Sequence, residues 1–359
     1  MDMTVSSGAL RAFMERVFAA EGFCARDAQR IADVLMLADL FGIESHGAQR
    51  MMYYHRNIAS GSVNVKAQPE IVRETPVSVM IDGHFAMGQL SASFAMEKAI
   101  KKAKTTGVGL AAVRNSSHFG IAGYYTLLAE SEGFASFAMT NTGPIMVPTF
   151  GREMMLGTNP LAFCMPADPV PFWFDASTTV VTLGKVEVHA KRGKAMPEGW
   201  TVGEDGKTCT DAAQMNASIL SGGKGGILPL GGEGETLGGH KGYGLGVMVE
   251  ALTGVLAQGL VCPEMSGAHG DHTSHFFMAF DPAMFGEAAE IRARMSRYLT
   301  MLRESEKAEG CSRIYTAGEK AFAAKALRTE RGIPVEENTL REMDVIAGEL
   351  GIPKLERQE

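Results

Sequence analysis

The sequence predicts an α/β protein. Two helix-to-strand junctions and the overall composition carry that reading. A helical stretch over 91–106 closes at Gly107 and runs into the short apolar segment Val108 to Val113. Another, over 121–131, closes at Gly133 and runs into Phe134 to Met139. The 359 residues are 45% apolar and 21% charged, with no long single-sign run. That is a globular composition, with enough chain for two domains or for one large domain with an excursion.

Taken in order, the elements begin with helix. Leu10, Phe13, Val17 and Ala20 recur at three- and four-residue steps over 9–23, and Gly22 stops the run. Ile31, Leu35, Ala38 and Phe41 repeat the pattern over 27–41, and Gly42 breaks it. Glu44-Ser45-His46-Gly47 follows. A helix starting near His46 would place Arg50 on the same face, four residues on. Residues 51–61 continue polar and aromatic to Gly61. Ile71 to Ile81 reads as mostly extended, with Val77, Val79 and Ile81 alternating before the turn Asp82-Gly83. The later strand Phe134 to Met139 delivers Thr140, Asn141 and Thr142 at its end, where ligands often bind. Residues 151–246 carry most of the glycine. Within them Val180 to Ala190 fits either strand and turn or a helix from Thr178. The glycine-dense stretch 221–244 fits either a mobile cover or a closely packed backbone. An apolar helix is expected over 245–260, a strand over His275 to Phe280, and helices over 286–306 and 318–331. No internal repeat is evident.

Several function classes fall away. A net charge of −7 disfavours a general nucleic-acid binder. No apolar run approaches the roughly 20 residues that span a bilayer, so no membrane partner is expected. The N-terminus Met1-Asp2-Met3-Thr4 is acidic and unlike a secretory leader. Five widely spaced cysteines do not suggest a disulfide scaffold, and they fit a cytoplasmic protein. No metal is expected. His-Glu-x-x-His and finger spacings are missing, and His269, His272 and His275 read as a solvated loop rather than convergent ligands. The run from Gly107 to Ala112 follows a helix, not a strand, so it reads as helix cap and strand rather than a dinucleotide loop. Gly242-Tyr243-Gly244-Leu245-Gly246 is equally weak as a phosphate loop, and a Gly-x-Ser-x-Gly elbow is absent.

What remains is a pair of histidine runs. His46 has Arg50 one turn on and Tyr54 one further turn on, and His118 stands in Ser116-Ser117-His118-Phe119-Gly120. Imidazole passes a proton near neutral pH, and guanidinium grips a carboxylate through two parallel bonds. A lone histidine is as often structural as functional. The neighbouring arginine and tyrosine tilt His46 toward an enzyme acting on a small carboxylic acid.

Six runs, in order, two of them extending the histidine runs, make the pattern specific. They are Gly42 to Gly47, His118 to Tyr125, Gly157-Thr158-Asn159-Pro160, Phe174 to Thr178, Gly184-Lys185 and Gly239 to Gly244. With them the chain resembles, over nearly its whole length, the type 2 malate/L-lactate dehydrogenase family. That family also includes ureidoglycolate, sulfolactate, diketogulonate and cyclic-imine carboxylate oxidoreductases. The resemblance implies a non-Rossmann α/β fold. A mixed-sheet nicotinamide-cofactor domain would span 76–284, and a largely helical region would be built from 1–75 and 285–359. It also implies a homodimer with its sites near the subunit contact. The implied reaction is hydride transfer between NAD, or NADP, and a small 2-hydroxy or 2-oxo acid. Malate/oxaloacetate or lactate/pyruvate is the expected pair, with cyclic-imine carboxylate reduction as the alternative. A non-redox small-acid binding module is a further alternative.

By resemblance His46 is the leading acid/base, with Ser45 and Asp175 as a relay around it. His118 matches a family histidine sometimes given that role. Arg50, Tyr54 and Thr158 fall at substrate positions. His118, Gly120, Ile121, Ala122, Gly123, Thr140, Asp175, Ala176, Ser177 and Lys224 fall at cofactor positions.

Overall fold

The computed structural model describes residues 3–265 and 272–357. The chain starts with strand β1 (Met3–Val5) and helices α1 (Ser7–Ala20) and α2 (Ala25–Leu40). Ser6 begins α1 by accepting the Ala9 N–H on its hydroxyl. The expected helix through His46 is absent. Residues 44–46 and 48–50 form two short 3-10 turns, and α3 (Met51–Ala59) starts only after Arg50. Strands β2 (Glu70–Glu74) and β3 (Ser78–Asp82) precede α4 (Gly88–Thr106), β4 (Val108–Ser116), α5 (Ala122–Glu130) and β5 (Ala135–Thr140). Two strands that periodicity did not single out follow, β6 (Leu161–Met165) and β7 (Phe172–Ala176).

Next comes the excursion, with α6 (Leu183–Lys191), β8 (Thr201–Val202), α7 (Ala212–Ser221) and β9 (Gly226–Ile227) around its own apolar cluster. Helix α8 (Gly239–Glu250) starts six residues before the expected 245 and continues as a π-helical stretch, Ala251–Val255. Gly239 and Gly242 there are packing devices. A Cβ on Gly239 would stand 2.0 Å from the Gly232 carbonyl oxygen, and one on Gly242 2.1 Å from that of Leu230. The closely packed reading of this stretch therefore holds. Strand β10 (Thr273–Phe280), helices α9 (Ala288–Glu304) and α10 (Glu319–Arg331), strand β11 (Ile333–Val335) and helix α11 (Glu337–Leu350) complete the chain.

Seven strands form one mixed sheet in the order β2-β3-β4-β10-β5-β6-β7, with only β3 and β4 parallel. β2 draws residues 70–74 into the sheet, ahead of the expected start at 76. Alternation along β10 sorts the layers. Phe277 and Ala279 face the main core, which α4, α5 and the terminal helices share, while Phe276 and Met278 face α8. Phe137 and Met139 join that second cluster, and Ala138 joins the first. At the junction of α4 and β4 a Cβ on Gly109 would lie 1.9 Å from the Ala99 carbonyl oxygen, so the helix lies directly on the strand.

The register decides where the site falls. β10 runs antiparallel to both β4 and β5, so Ser116 and Thr140 end their strands at one edge. β6 starts at that edge and β7 ends there, with Leu161 opposite Ala176. The turns holding His118, Thr140, Thr158 and Asp175 therefore share one side of the sheet.

The two chain ends meet. β1 pairs antiparallel with β11, and Val5 stands opposite Ile333. Buried His55 of α3 is held between two carboxylates. Its Nδ1 pairs with Glu21 beyond α1, and its Nε2 lies 2.8 Å from Glu349 of α11. Burial pushes this imidazole down, but the bonds to Glu349 and Glu21 outweigh it and hold His55 above its ordinary value. A histidine raised in this way stabilises the fold fully below its unfolded value and loses that contribution as pH rises through the folded value. Replacing His55 with Gln should therefore cost about 1.5–3 kcal/mol at pH 6, in the range for hydrogen bonds to charged groups. The loss should be smaller at pH 9. Thermal unfolding of both proteins at the two pH values measures the difference.

Candidate active site

Two imidazoles define the site. His46 comes from the 3-10 turn after α2, and His118 from the turn between β4 and α5. Their ring centres are 5.5 Å apart with planes inclined by 26°. Ser45 Oγ lies 2.9 Å from His46 Nδ1. Tyr54 Oη, on buried α3, lies 2.7 Å from His118 Nδ1. The Gly120 N–H also points to that nitrogen, at 3.4 Å. His118 Nδ1 is thus an acceptor, so the tyrosine hydroxyl donates and the neutral ring carries its proton on Nε2. His46 differs, because among the described residues its Nε2 has no hydrogen-bond partner.

Arg50 joins the pair without sharing a helix face with His46. Its Nε donates to the Ser45 carbonyl at 2.7 Å, and its guanidinium carbon sits 6.0 Å from the centre of the Tyr53 ring. It forms no ion pair among the described residues. Burial drives both imidazoles down to about 3. His118 and Arg50 add to the effect on His46, and Arg50 and His275 add to that on His118. The resting pair is neutral, beside an arginine that has no carboxylate partner among the described residues.

Behind the pair stands His275, which the sequence placed at the start of a strand but, with His269 and His272, read as solvated. It is fully buried in β10 instead, with Nδ1 2.8 Å from Thr140 Oγ1 and Nε2 2.8 Å from Ser116 Oγ. Phe119 stacks on it at 4.6 Å, next to His118 in sequence. Burial holds His275 at about 3, so it is a neutral tie between β4 and β5. Of its expected companions, His272 forms an edge contact with Phe85, and His269 lies outside the described residues.

The start of α5 forms the adjoining wall. Asp175 does not reach His46. Its Oδ2 accepts the Gly123 N–H at 2.7 Å, and burial pushes its carboxyl up to about 6. Trp173 Nε1 donates to the Gly123 carbonyl at 3.0 Å. The backbone N–H groups of buried Ile121 and Ala122 find no acceptor among the described residues. Two unpaired amides at a helix N-terminus suit the anionic part of a dinucleotide, so the Gly120–Gly123 turn fits a nicotinamide cofactor.

The other expected contacts are distributed unevenly. Thr158 faces Thr142, with the two hydroxyls 3.2 Å apart. The Thr140 hydroxyl is already engaged with His275 and with the Asn141 and Ser274 carbonyls. Ala176 ends β7, and the Ser177 hydroxyl turns to the Thr179 carbonyl. Lys224 is exposed between α7 and β9, and its carbonyl accepts from Ser218. No hydrogen bond or ion pair links it to the histidines.

One support was missed at the sequence level. Glu250, in α8, is buried, and its carboxylate accepts from Asn141, Asn159 and the Cys262 N–H, each at 2.9 Å. It ties the Asn141 and Asn159 turns to the helix. A lone acid within the apolar run Leu245 to Leu256 was the signal.

Comparison with known proteins gives a consistent picture. The family model for malate/L-lactate dehydrogenase matches residues 5–344. A malate dehydrogenase of Pyrococcus abyssi is 41% identical, covering 97% of this chain and 95% of that protein. An L-sulfolactate dehydrogenase of Methanocaldococcus jannaschii is 36% identical, over 91% of each. The crystal structure of malate dehydrogenase from Entamoeba histolytica superposes with a TM-score of 0.94 at 34% identity, covering 98% of this chain and 99% of that one.

The α5 wall is testable without substrate. A Cβ on Gly123 would stand 2.1 Å from Trp173 Cζ2, on a ring already fixed by its own hydrogen bond. Gly123→Ala should lower stability by about 1–3 kcal/mol, the usual cost of overpacking. Chemical denaturation checks it, and unchanged stability would mean that the ring moves aside freely.

Proposed function

Because this chain belongs to the malate/L-lactate dehydrogenase family, we propose that it interconverts malate and oxaloacetate, with NAD as hydride carrier. The carrying observation is the unpaired Arg50 guanidinium beside two neutral imidazoles, one of which leaves Nε2 open. The choice of malate follows the 41% identical relative, which is a malate dehydrogenase.

The chain's own groups divide the work. Arg50 binds the substrate carboxylate and turns the neighbouring carbon toward the α5 wall. The nicotinamide, when bound, takes or supplies the hydride on that carbon. Ile121 and Ala122 N–H groups would hold the dinucleotide at the helix start. In oxidation His46 Nε2 accepts the hydroxyl proton as hydride leaves the carbon, and in reduction it returns a proton to the carbonyl oxygen. With the ring proton on Nδ1, where the Ser45 hydroxyl accepts its hydrogen bond, Nε2 is free for this task. The Tyr54 bond turns His118 away from it, so His118 shapes the pocket rather than carrying the proton.

A homodimer in the cytoplasm completes the proposal. Leu245, Met248, Val255 and Leu256 are exposed along α8 and its extension, a face that a second copy would cover. All five cysteines are free, which suits a reducing compartment.

The test is a panel of malate, lactate, sulfolactate and ureidoglycolate with NAD and NADP, followed by nicotinamide absorbance. Malate with NAD should give the highest kcat/KM, and a higher value for another pair would overturn the assignment. His46→Ala should lower kcat by roughly 100- to 10,000-fold, the span of a general acid/base contribution, with cofactor binding retained. Arg50→Lys should raise KM for the acid despite conserving charge, because the two-pronged grip is lost. Steady-state kinetics on folded variants decides both, and a His46→Ala protein with wild-type turnover would remove His46 from the proton step.

A further inference from the structure

The turn that carries His46 and Arg50 has no helical hydrogen bonding of its own beyond two short 3-10 turns, so something else must hold it. The structure assigns that task to Asp39: we propose that its buried carboxylate is a positioning residue, fixing the 44–50 turn and through it the places of His46 and Arg50. This rests on the reading of His46 as proton carrier.

The geometry is direct. Asp39 lies in the last turn of α2 and is 3% exposed. Its Oδ2 accepts the Ala48 N–H at 2.8 Å. Its other oxygen packs on the backbone of Gly47, where an added Cβ would lie 1.9 Å from Oδ1. Gly47 has φ −95°, so close approach alone excludes a side chain there. The carboxylate therefore sits directly beneath the residue after His46. Arg328 of α10 holds the rim, donating to the Asp39 carbonyl at 2.7 Å and to Glu44 at 2.6 Å. The turn is fixed from below by a carboxylate and from the side by an arginine of the C-terminal region.

The charged surroundings of Asp39 are few. Burial pushes its carboxyl up to about 7, while the Ala48 N–H and Arg328 pull it down and Glu44 raises it. Glu336, at the start of α11, lines the same cavity of about 50 Å³ with Asp39, Glu44 and Ala48. Above pH 7 the ionised carboxylate makes the stronger bond to the Ala48 N–H. Below it, the protonated group holds the turn less firmly.

Three variants and two measurements test the proposal. Asp39→Ala should lower kcat by about 10- to 100-fold, the scale of a small misplacement of reacting groups, and raise KM for the acid. KM for the nicotinamide should stay unchanged. Asp39→Asn keeps an oxygen for the Ala48 N–H, so it should retain most of the turnover and lose the step in the pH profile near 7. Gly47→Ala, which drives the carboxylate off the turn with Asp39 still present, should copy Asp39→Ala. Hydrogen–deuterium exchange of the peptide covering 44–50 should accelerate in Asp39→Ala and Gly47→Ala and stay slow in Asp39→Asn. A folded Asp39→Ala protein with wild-type exchange and pH profile would overturn the proposal whatever His46 does. If Asp39→Ala does not fold, wild-type exchange and turnover in Gly47→Ala would overturn it instead. A fully active His46→Ala protein would overturn the proton-carrier reading alone, and faster exchange in Asp39→Ala would still support the hold on the turn.

Discussion

The hydrogen bond between Tyr54 and His118 joins two parts of the chain that have no site separately. Tyr54 stands on a helix of the N-terminal segment, while His118 follows a strand of the sheet. His46 and Arg50 arrive with Tyr54, and the α5 wall arrives with His118. Catalytic geometry of this kind depends on docking the helical region against one sheet edge. The shared apolar core that spans both supplies the driving force, since burial is non-directional and adds up over many side chains. The hydrogen bond supplies the register.

Burial sets the chemistry as well. Two imidazoles and a guanidinium cannot all be charged at low cost in one cleft. The histidines yield, falling to about 3, and His275 behind them does the same. Asp175 moves the other way, to about 6, and is kept usable by the Gly123 N–H. Arg50 has no partner carboxylate among the described residues. The site is therefore arranged as a cation in a neutral pocket, which is the electrostatic complement of a small carboxylic acid.

Much of this was legible in the sequence because period and punctuation agree. Gly42 and Gly107, both at positive φ, end helices where the pattern stops, and Phe277 and Ala279 alternate with Phe276 and Met278 as a strand covered on two faces requires. The His118 run and the Asp175 run fell on strand ends, as binding loops often do, whereas the His46 run follows a helix. Errors arose where long-range packing overrides local signal. The stretch after Gly42 has helical composition, but the Asp39 carboxylate captures the Ala48 N–H and forces 3-10 turns. Glycines in α8 lower helix propensity, yet the backbone of residues 230–234 needs them. His275 resembles a loop histidine beside His272, and only the pairing of β10 with β4 and β5 shows that it is buried. Asp175 looked like a partner for His46, and the sheet register gives it to α5 instead.

On the proposed reading, the Arg50 cation gives binding and proton transfer a common physical basis. With the pocket empty, burial, His118 and Arg50 together keep His46 unprotonated. A bound carboxylate neutralises that charge and takes water from the cleft. The first effect favours the imidazolium, and the second strengthens every remaining interaction around it. On the proposed reading, the same anion that positions the reacting carbon would thus move His46 toward the protonated state needed to stabilise the product of oxidation or to begin reduction. A neutral analogue of equal size would fill the space without making that change. If His46 carries the proton as proposed, discrimination for carboxylic acids belongs to the chemical step as much as to binding, because only an acid brings the charge that His46 would require.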